Sequence, residues 1–308
     1  MSPMAGLTNG PFRKVAAEAG CRAFWTEMVT AEGLIRGKRD IMRILPESDE
    51  PGPVAVQIFG SNPESLAEAA AFLEGSRADV LDINMACPVK KVVRTGAGAA
   101  LMRDPVKVGE IVSKVVRRTT RPVTVKLRSG WDKGEVNALE VARRAALEGV
   151  AAVIIHPRTR SQGFSGRVDY ALASLLVENL SVPVIVSGDI TSGEEAAMVF
   201  RETGAAAVMI GRAAVGNPWI YRRVEHYLAD GVDLPLVDPG EKLDLILRHL
   251  EMMLEKYGEK RGVFLFRGQL LGYMKGQAGA ARWRREVLVE MVPERLKEKI
   301  EGFVRGWG

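Results

Sequence analysis

The chain has 308 residues, with 43 Lys and Arg against 38 Asp and Glu, a formal net charge of +5; that length holds one large unit and a smaller one. No apolar run reaches bilayer length and no charged-then-apolar leader precedes a small-residue cleavage site, so the expectation is a cytoplasmic protein, neither membrane-spanning nor secreted. With only Cys21 and Cys87, and only His156, His226 and His249, a disulfide framework and a structural metal site are not expected.

Through residue 230, short β-rich runs alternate with helical stretches. A short strand is implied at Met1–Met4, followed by strands at Ala23–Met28, Val54–Gly60, Val80–Met85, Val123–Arg128, Ala151–His156, Pro183–Ser187 and Ala207–Ile210. These runs are apolar or β-branched without strict alternation, as strands buried on both faces are. Amphipathic segments between them include Pro63–Glu74, Pro105–Arg118, Val136–Glu148 and Glu194–Thr203, several of them preceded by Ser, Asn or Asp start signals. Eight strands alternating with helices predict an α/β fold, a closed parallel (β/α)8 TIM barrel. An open doubly wound sheet is the second choice, but no GxGxxG follows the first strand.

Beyond Trp219 the pattern changes. Residues 231–240 contain two prolines and read as a linker, and from Glu241 apolar residues recur at helical spacing at Leu243, Ile246, Leu247, Leu250, Met253 and Leu254. Further helices are predicted at Val263–Met274, Ala280–Met291 and Pro293–Val304. The division expected is a barrel over residues 1–232 and a small all-helical domain over 240–308. Residues 241–308 carry 14 Lys and Arg against 10 Asp and Glu, and from Lys260 to Arg285 there are seven basic residues and no acidic one, with Phe264, Phe266, Tyr273 and Trp283 among them. That is the footprint of a nucleic-acid backbone site; composition alone favours a solvated helix face over a packed apolar one.

Barrel active sites are built from the C-terminal ends of the strands. Those ends carry Glu27, Gln57, Asn84 with Cys87, Lys126 with Arg128, His156 with Arg158, Ser187 with Asp189, and Gly211 with Arg212. Each alone has a structural explanation; their convergence reads as a site. Ser187-Gly188-Asp189 and Gly211-Arg212 put glycine where the last two strands end, the recurrent phosphate position of this architecture. Short side chains at Pro3, Met4 and Ala5 leave backbone that can lie against a flat ring. With Gln57 and Lys126 nearby, the set suits flavin mononucleotide (FMN), Lys126 balancing the charge of the reduced ring.

Pro3-Met4-Ala5-Gly6, Thr26-Glu27-Met28, Gln57-Ile58-Phe59-Gly60, Asp82-Ile83-Asn84-Met85-Ala86-Cys87-Pro88, Lys90-Lys91-Val92, Val125-Lys126-Leu127-Arg128, His156-Pro157-Arg158-Thr159-Arg160, Ser187-Gly188-Asp189-Ile190, Gly211-Arg212 and Gly216-Asn217-Pro218-Trp219 together resemble the tRNA-dihydrouridine synthases over nearly the whole chain. The resemblance implies a flavin, recharged by NADPH, that passes hydride to carbon 6 of a uracil ring while Cys87 protonates carbon 5. It implies cofactor contacts at Gln57, Lys126 and His156. Asn84 is expected at the uracil edge, with Lys90 also in contact with substrate and Arg158 on flavin phosphate or substrate. Thr159–Arg167 is expected to cover the site. The helical domain is expected to hold tRNA, with Arg267, Lys275 and Arg282 near phosphates, so that one uridine can be flipped out of its stack; a monomer is expected. Departures are Ser187 where many relatives have Asn, Ala86 and Pro157 in place of Gly, and Arg267-Gly268-Gln269 where relatives often show Arg-Lys-His. Two other readings are a barrel flavoenzyme acting on a free pyrimidine and a tRNA-binding protein without turnover.

Overall fold

A computed structural model describes residues 1–306, so Trp307 and Gly308, the end of the expected helical domain, lie outside the described residues. Its strands are β1 (Phe24–Trp25), β2 (Val29–Thr30), β3 (Val54–Phe59), β4 (Val80–Met85), β5 (Val123–Arg128), β6 (Ala152–His156), β7 (Val184–Ser187) and β8 (Ala207–Met209). All pair in parallel in the order β1-β3-β4-β5-β6-β7-β8, with β2 also on β3. The helices between them make this a (β/α)8 TIM-barrel fold.

Two expected strands differ. The run at Ala23–Met28 is broken into β1 and β2: Trp25 pairs with Ala55 but Val29 with Ile58, so four steps on one side match three on the other, as in a bulge. Thr26 causes the break, its Oγ1 accepting from Gln57 N at 3.2 Å and donating to Glu27 O at 2.8 Å, so that a side chain replaces a ladder carbonyl. The expected strand at Met1–Met4 does not form. That segment instead bridges the two ends of the sheet, the amino terminus donating to Ala23 O and Ser2 N to Ile210 O, both at 2.8 Å.

Helix starts follow the local chemistry. Asn62, Asp104 and Asp238 each precede a proline at the first helical position and accept a backbone N–H through the side chain, and Ser192 caps Gly193–Thr203 in the same way. The helix Gly10–Glu18, not among the expected segments, is capped by Asn9 and places Arg13 in the core. Arg13 pairs with the equally buried Glu50 at 2.5 Å and donates to Thr8 O at 2.6 Å, which pins the loop carrying Met4, Ala5 and Leu7.

Four helices follow the barrel, Pro239–Tyr257, Glu259–Tyr273, Ala280–Val289 and Pro293–Val304. They share an apolar cluster that takes in Val15, Ala19 and Trp219 from the barrel side. The closest approach is backbone to backbone. A Cβ on Gly216, whose φ is +71°, would lie 1.9 Å from the carbonyl carbon of Gly272. Gly216→Ala is therefore expected to cost about 2–4 kcal/mol from overpacking and backbone strain. Gly231→Ala, at φ +73° but in open space, is expected to cost only about 1 kcal/mol. Denaturant unfolding of the two variants checks this, and equal losses would contradict the close contact.

Candidate active site

The site grows from the register of the sheet. Gln57 pairs with Asp82, Asp82 with Thr124, Asn84 with Lys126 and Arg128 with His156. Alternation along a strand puts residues two apart on one face, so Asp82 and Asn84, and Thr124, Lys126 and Arg128, rise in steps towards the strand ends. A small apolar cluster of Trp25, Ala55, Ile154 and Met209 is separate from the main core.

At the strand ends a cavity of about 630 Å³ opens, within the range of small-molecule and cofactor sites. Of the expected residues, Pro3, Met4, Ala5, Gln57, Asn84, Cys87, Lys126, His156, Gly188, Asp189, Gly211, Arg212 and Lys275 line it. Lys275 comes from beyond the barrel, and Gln269 ties the same helical segment to the site's first loop by donating from Nε2 to Leu7 O at 2.9 Å. Ser187 stands behind the wall, its Oγ accepting from Lys126 Nζ at 3.2 Å. Arg158 is buried rather than lining the cavity. Lys90 and Arg267 are not brought to it. Lys90 is exposed at the start of the short helix Lys90–Val93, and Arg267 reaches Glu290 O at 3.3 Å and lies 5.8 Å from the Phe264 ring.

Cys87 is half-buried in the turn leaving β4. Asn84 Oδ1 accepts from Cys87 N at 2.9 Å and from Ala86 N at 3.2 Å, and Asn84 Nδ2 donates to Gln57 Oε1 at 2.7 Å. Both ends of the Asn84 amide are thus engaged within the protein. On the other side of the turn, Arg128 Nε donates to Ala86 O at 2.7 Å, while its Nη1 donates to Thr159 O and Gly163 O at 3.0 and 2.8 Å. Arg158 donates to Ser165 O at 3.2 Å and Gly166 O at 2.6 Å. The loop expected to cover the site is therefore fastened by two buried guanidinium groups. Its Phe164 lies 4.5 Å from Arg212 and 5.6 Å from Arg128, in cation–π range. Neither Arg128 nor Phe164 was assigned a role from sequence. The usable signal for Phe164 was a lone aromatic in a loop of Gly, Ser and Gln.

Asp189 is the single non-glycine residue of positive φ (+49°) among the described residues. Its carboxylate bridges Arg158 and Arg212 (Oδ1 to Arg158 Nη1 2.9 Å, to Arg212 Nη2 3.0 Å), and the bond from Arg158 foremost holds its pKa below the usual range. Gly188 beside it must be glycine, because a Cβ there would meet His156 Cδ2 at 2.9 Å.

Among the described lining residues Lys126, Arg128, Arg212 and Lys275 are cationic and Asp189 alone is anionic. Burial, reinforced by Lys126 and the three arginines, drives the His156 pKa down to about 2, so its ring is neutral at working pH. Burial also lowers Lys126, against the pull of Asp82, and lowers Arg128 to about 10. Burial pushes the Cys87 thiol up, outweighing the Val89 N–H and Arg128. This cysteine is built to hold its proton rather than to attack as a thiolate.

The fold and cavity define a (β/α)8-barrel protein with a cationic pocket at the strand C-termini and a protonated thiol in its wall. The sequence profile of the Dihydrouridine synthase (Dus) family matches residues 1–302. The chain is 42% identical over 294 residues to tRNA-dihydrouridine synthase B of Xanthomonas campestris, covering 96% of this chain and 89% of that one. It is 39% identical over 284 residues to tRNA-dihydrouridine synthase B of Pseudomonas aeruginosa, covering 92% and 86%. The chain belongs to the dihydrouridine synthase family, whose reaction is that of an oxidoreductase. Among solved structures it resembles 6-hydroxypseudooxynicotine amine oxidase of Pseudomonas geniculata (TM-score 0.54, 14% identity, 75% of this chain and 47% of that one). It also resembles histamine dehydrogenase of Rhizobium (TM-score 0.53, 12% identity, 80% and 46%). The chain spans about half the length of these two, and the likeness is one of fold. Among the described residues no helix is long and apolar enough to cross a membrane, and no group of three or more His, Cys, Asp or Glu could hold a metal ion.

The raised thiol has a direct consequence. A group whose pKa is higher in the folded state stabilises the fold below its ordinary pKa and loses that contribution as pH rises through the raised value. Iodoacetamide should thus alkylate Cys87 more slowly than glutathione at pH 8, by about tenfold for each unit of displacement. The midpoint of the rate profile should lie above that of glutathione, and one at or below it would refute the protonated-thiol reading.

Proposed function

We propose that this chain is a tRNA-dihydrouridine synthase that reduces the 5,6 double bond of specific uracils in tRNA, using FMN and NADPH, with Cys87 as the proton donor. The observation that carries the reading is the protonated Cys87 thiol in the wall of a cationic cavity, in a chain of this family.

The residues present fit a flavin nucleotide. Gly188 and Gly211 leave backbone at the ends of β7 and β8, with Arg212 beside them for a phosphate, and the neighbouring Met4 and Ala5 offer backbone with little side-chain obstruction. Gln57, Lys126 and His156 complete the cofactor set, and Ser187 and Asp189 act by holding Lys126, Arg158 and Arg212 in place. The flavin, when bound and reduced by NADPH, supplies the hydride for carbon 6. Cys87 supplies the proton for carbon 5 and is left as a thiolate, which the Arg128 charge stabilises until solvent returns the proton. Neutral His156 contributes hydrogen bonding without adding charge. Asn84 positions the cysteine turn at the uracil edge, and Arg158 fastens the covering loop.

Residues 1–232 act as the FMN-binding catalytic barrel and residues 240–308 as the tRNA-binding domain. Lys275 reaches the cavity, while Lys90, Arg267 and Arg282 lie outside it, where the body of a large polyanion rather than the reacting base would meet them. The reading places the protein in the cytoplasm, acting as a monomer on one tRNA at a time.

Cys87→Ala is expected to keep its bound flavin and lose at least about a hundredfold in dihydrouridine formation, the scale of a general acid. Mass spectrometry of treated tRNA measures the product, and undiminished turnover would remove Cys87 from the role. The reduced enzyme should be reoxidised by unmodified tRNA far faster than by free uridine; equal rates would favour a free-pyrimidine enzyme.

Affinity for tRNA should fall as salt rises, with a log–log slope of roughly −0.7 for each phosphate contacted. Filter binding across a salt series tests this, and binding indifferent to salt would rule out a basic docking surface.

A further inference from the structure

Beneath Cys87 lies a buried group to which the proposed reaction gives no part. Asp82, on β4, is wholly buried. Thr124 Oγ1 donates to its Oδ1 at 2.7 Å and Gln57 Nε2 to its Oδ2 at 2.6 Å. An ionised carboxylate only accepts hydrogen bonds, so Gln57 must turn its NH2 group towards Asp82 and its Oε1 away. Asn84 Nδ2 donates to that Oε1 at 2.7 Å, which leaves Asn84 Oδ1 to accept from Cys87 N at 2.9 Å and Ala86 N at 3.2 Å. The chain is anchored at both ends, by an acceptor-only carboxylate at its head and by the donor-only N–H groups of Cys87 and Ala86 at its foot. Neither amide can flip without setting donor against donor or acceptor against acceptor, which in a buried network costs more than losing a single bond.

We propose that Asp82 is a positioning residue which, through Gln57 and Asn84, fixes the turn that holds Cys87 at one place in the cavity wall. The inference rests on the reading of Cys87 as proton donor and adds what aims it. A simpler role for Asp82, as counter-charge to Lys126, does not account for the chain. Lys126 feels the Asp82 charge but directs its hydrogen bond to Ser187 Oγ, whereas both Asp82 oxygens are taken by neutral donors. Burial raises the Asp82 pKa, and the Thr124 and Gln57 bonds pull it back, so these donors favour the ionised form that sets the direction.

The test is a double-mutant cycle on the holoenzyme, read by the rate at which iodoacetamide alkylates Cys87, with flavin absorbance and melting temperature followed alongside. Asn84→Asp puts an acceptor opposite Gln57 Oε1 and should free the turn, raising the alkylation rate at least about threefold. Asp82→Asn alone should stay within about twofold of the parent, because its amide can turn Oδ1 to Gln57 and Nδ2 to the Thr124 hydroxyl, which accepts as well as donates. In the double variant Asp82→Asn/Asn84→Asp the chain runs in reverse. Gln57 flips, both its bonds re-form, and residue 84 still accepts from Cys87 N and Ala86 N. Its rate should return to within about twofold of the parent, a coupling that independent sites do not show.

A parent-like rate in Asn84→Asp, or a double variant as reactive as Asn84→Asp, would overturn the proposal. A pure counter-charge role for Asp82 predicts the first of these for Asn84→Asp. If either single variant does not fold, Thr124→Val is the milder probe, freeing one carboxylate oxygen. A lower melting temperature with an unchanged alkylation rate would then refute the role. Failure of the parent to form dihydrouridine in tRNA would instead refute the proton-donor reading and leave the alkylation cycle standing.

Discussion

A parallel barrel closes its interior to water, and this one places a carboxylate there. Asp82 can be kept only if every lone pair it presents is answered by the protein, because an unpaired buried charge costs several kcal/mol. Thr124, Gln57 and the field of Lys126 answer it, and the answers travel upward. Gln57 holds Asn84, Asn84 holds the backbone of Cys87, and Arg128 holds the carbonyl of Ala86 from the other side. The residues of the cavity wall are thus the upper end of a network whose lower end is a problem of desolvation.

The same cavity depends on how the sheet is joined. The first and last strands are linked through the amino terminus and Ser2 rather than through a full ladder, so the segment that closes the curl also supplies Pro3, Met4 and Ala5 to the cavity. Its course is set by the Arg13–Glu50 pair, by Gly6 N donating to Glu27 Oε2 at 2.5 Å, and by Gln269 from the last helices. The helical part is in this sense a wall of the site as well as a neighbour of the barrel.

Much of this was legible in the sequence, for physical reasons. The five central strands are runs rich in apolar and β-branched residues among helix-start signals, and β3 to β7 lie within a residue or so of their expected bounds. The ordered polar residues at strand ends pointed to one cavity, since alternation and parallel register bring such positions together. What could not be read was set by contacts distant in sequence. Thr26 breaks its strand because its hydroxyl meets Gln57, and Met1–Met4 forms no ladder because its partners lie on two different strands. Arg158 and Asp189 read as ligand contacts from their own places, and their pairing with each other across 31 residues has no local signal. Lys90 and Arg267 carry the right charge at places the fold keeps away from the cavity. The helix Gly10–Glu18 has a start signal of the same kind, Asn9 capping Phe12 N ahead of the buried Phe12, Val15 and Ala16, but its buried Arg13 is explained only by the distant Glu50.

The covering loop is held in part through its carbonyl oxygens, with Arg128 and Arg158 as the donors, and in part by Arg160 N and Ser161 N donating to Gly130 O and Trp131 O. Carbonyl groups satisfy hydrogen bonds without cancelling charge. The loop thus covers the site without neutralising it: Arg128 is fastened to carbonyl oxygens alone, and the charge of Arg158 is answered by Asp189 rather than by the loop.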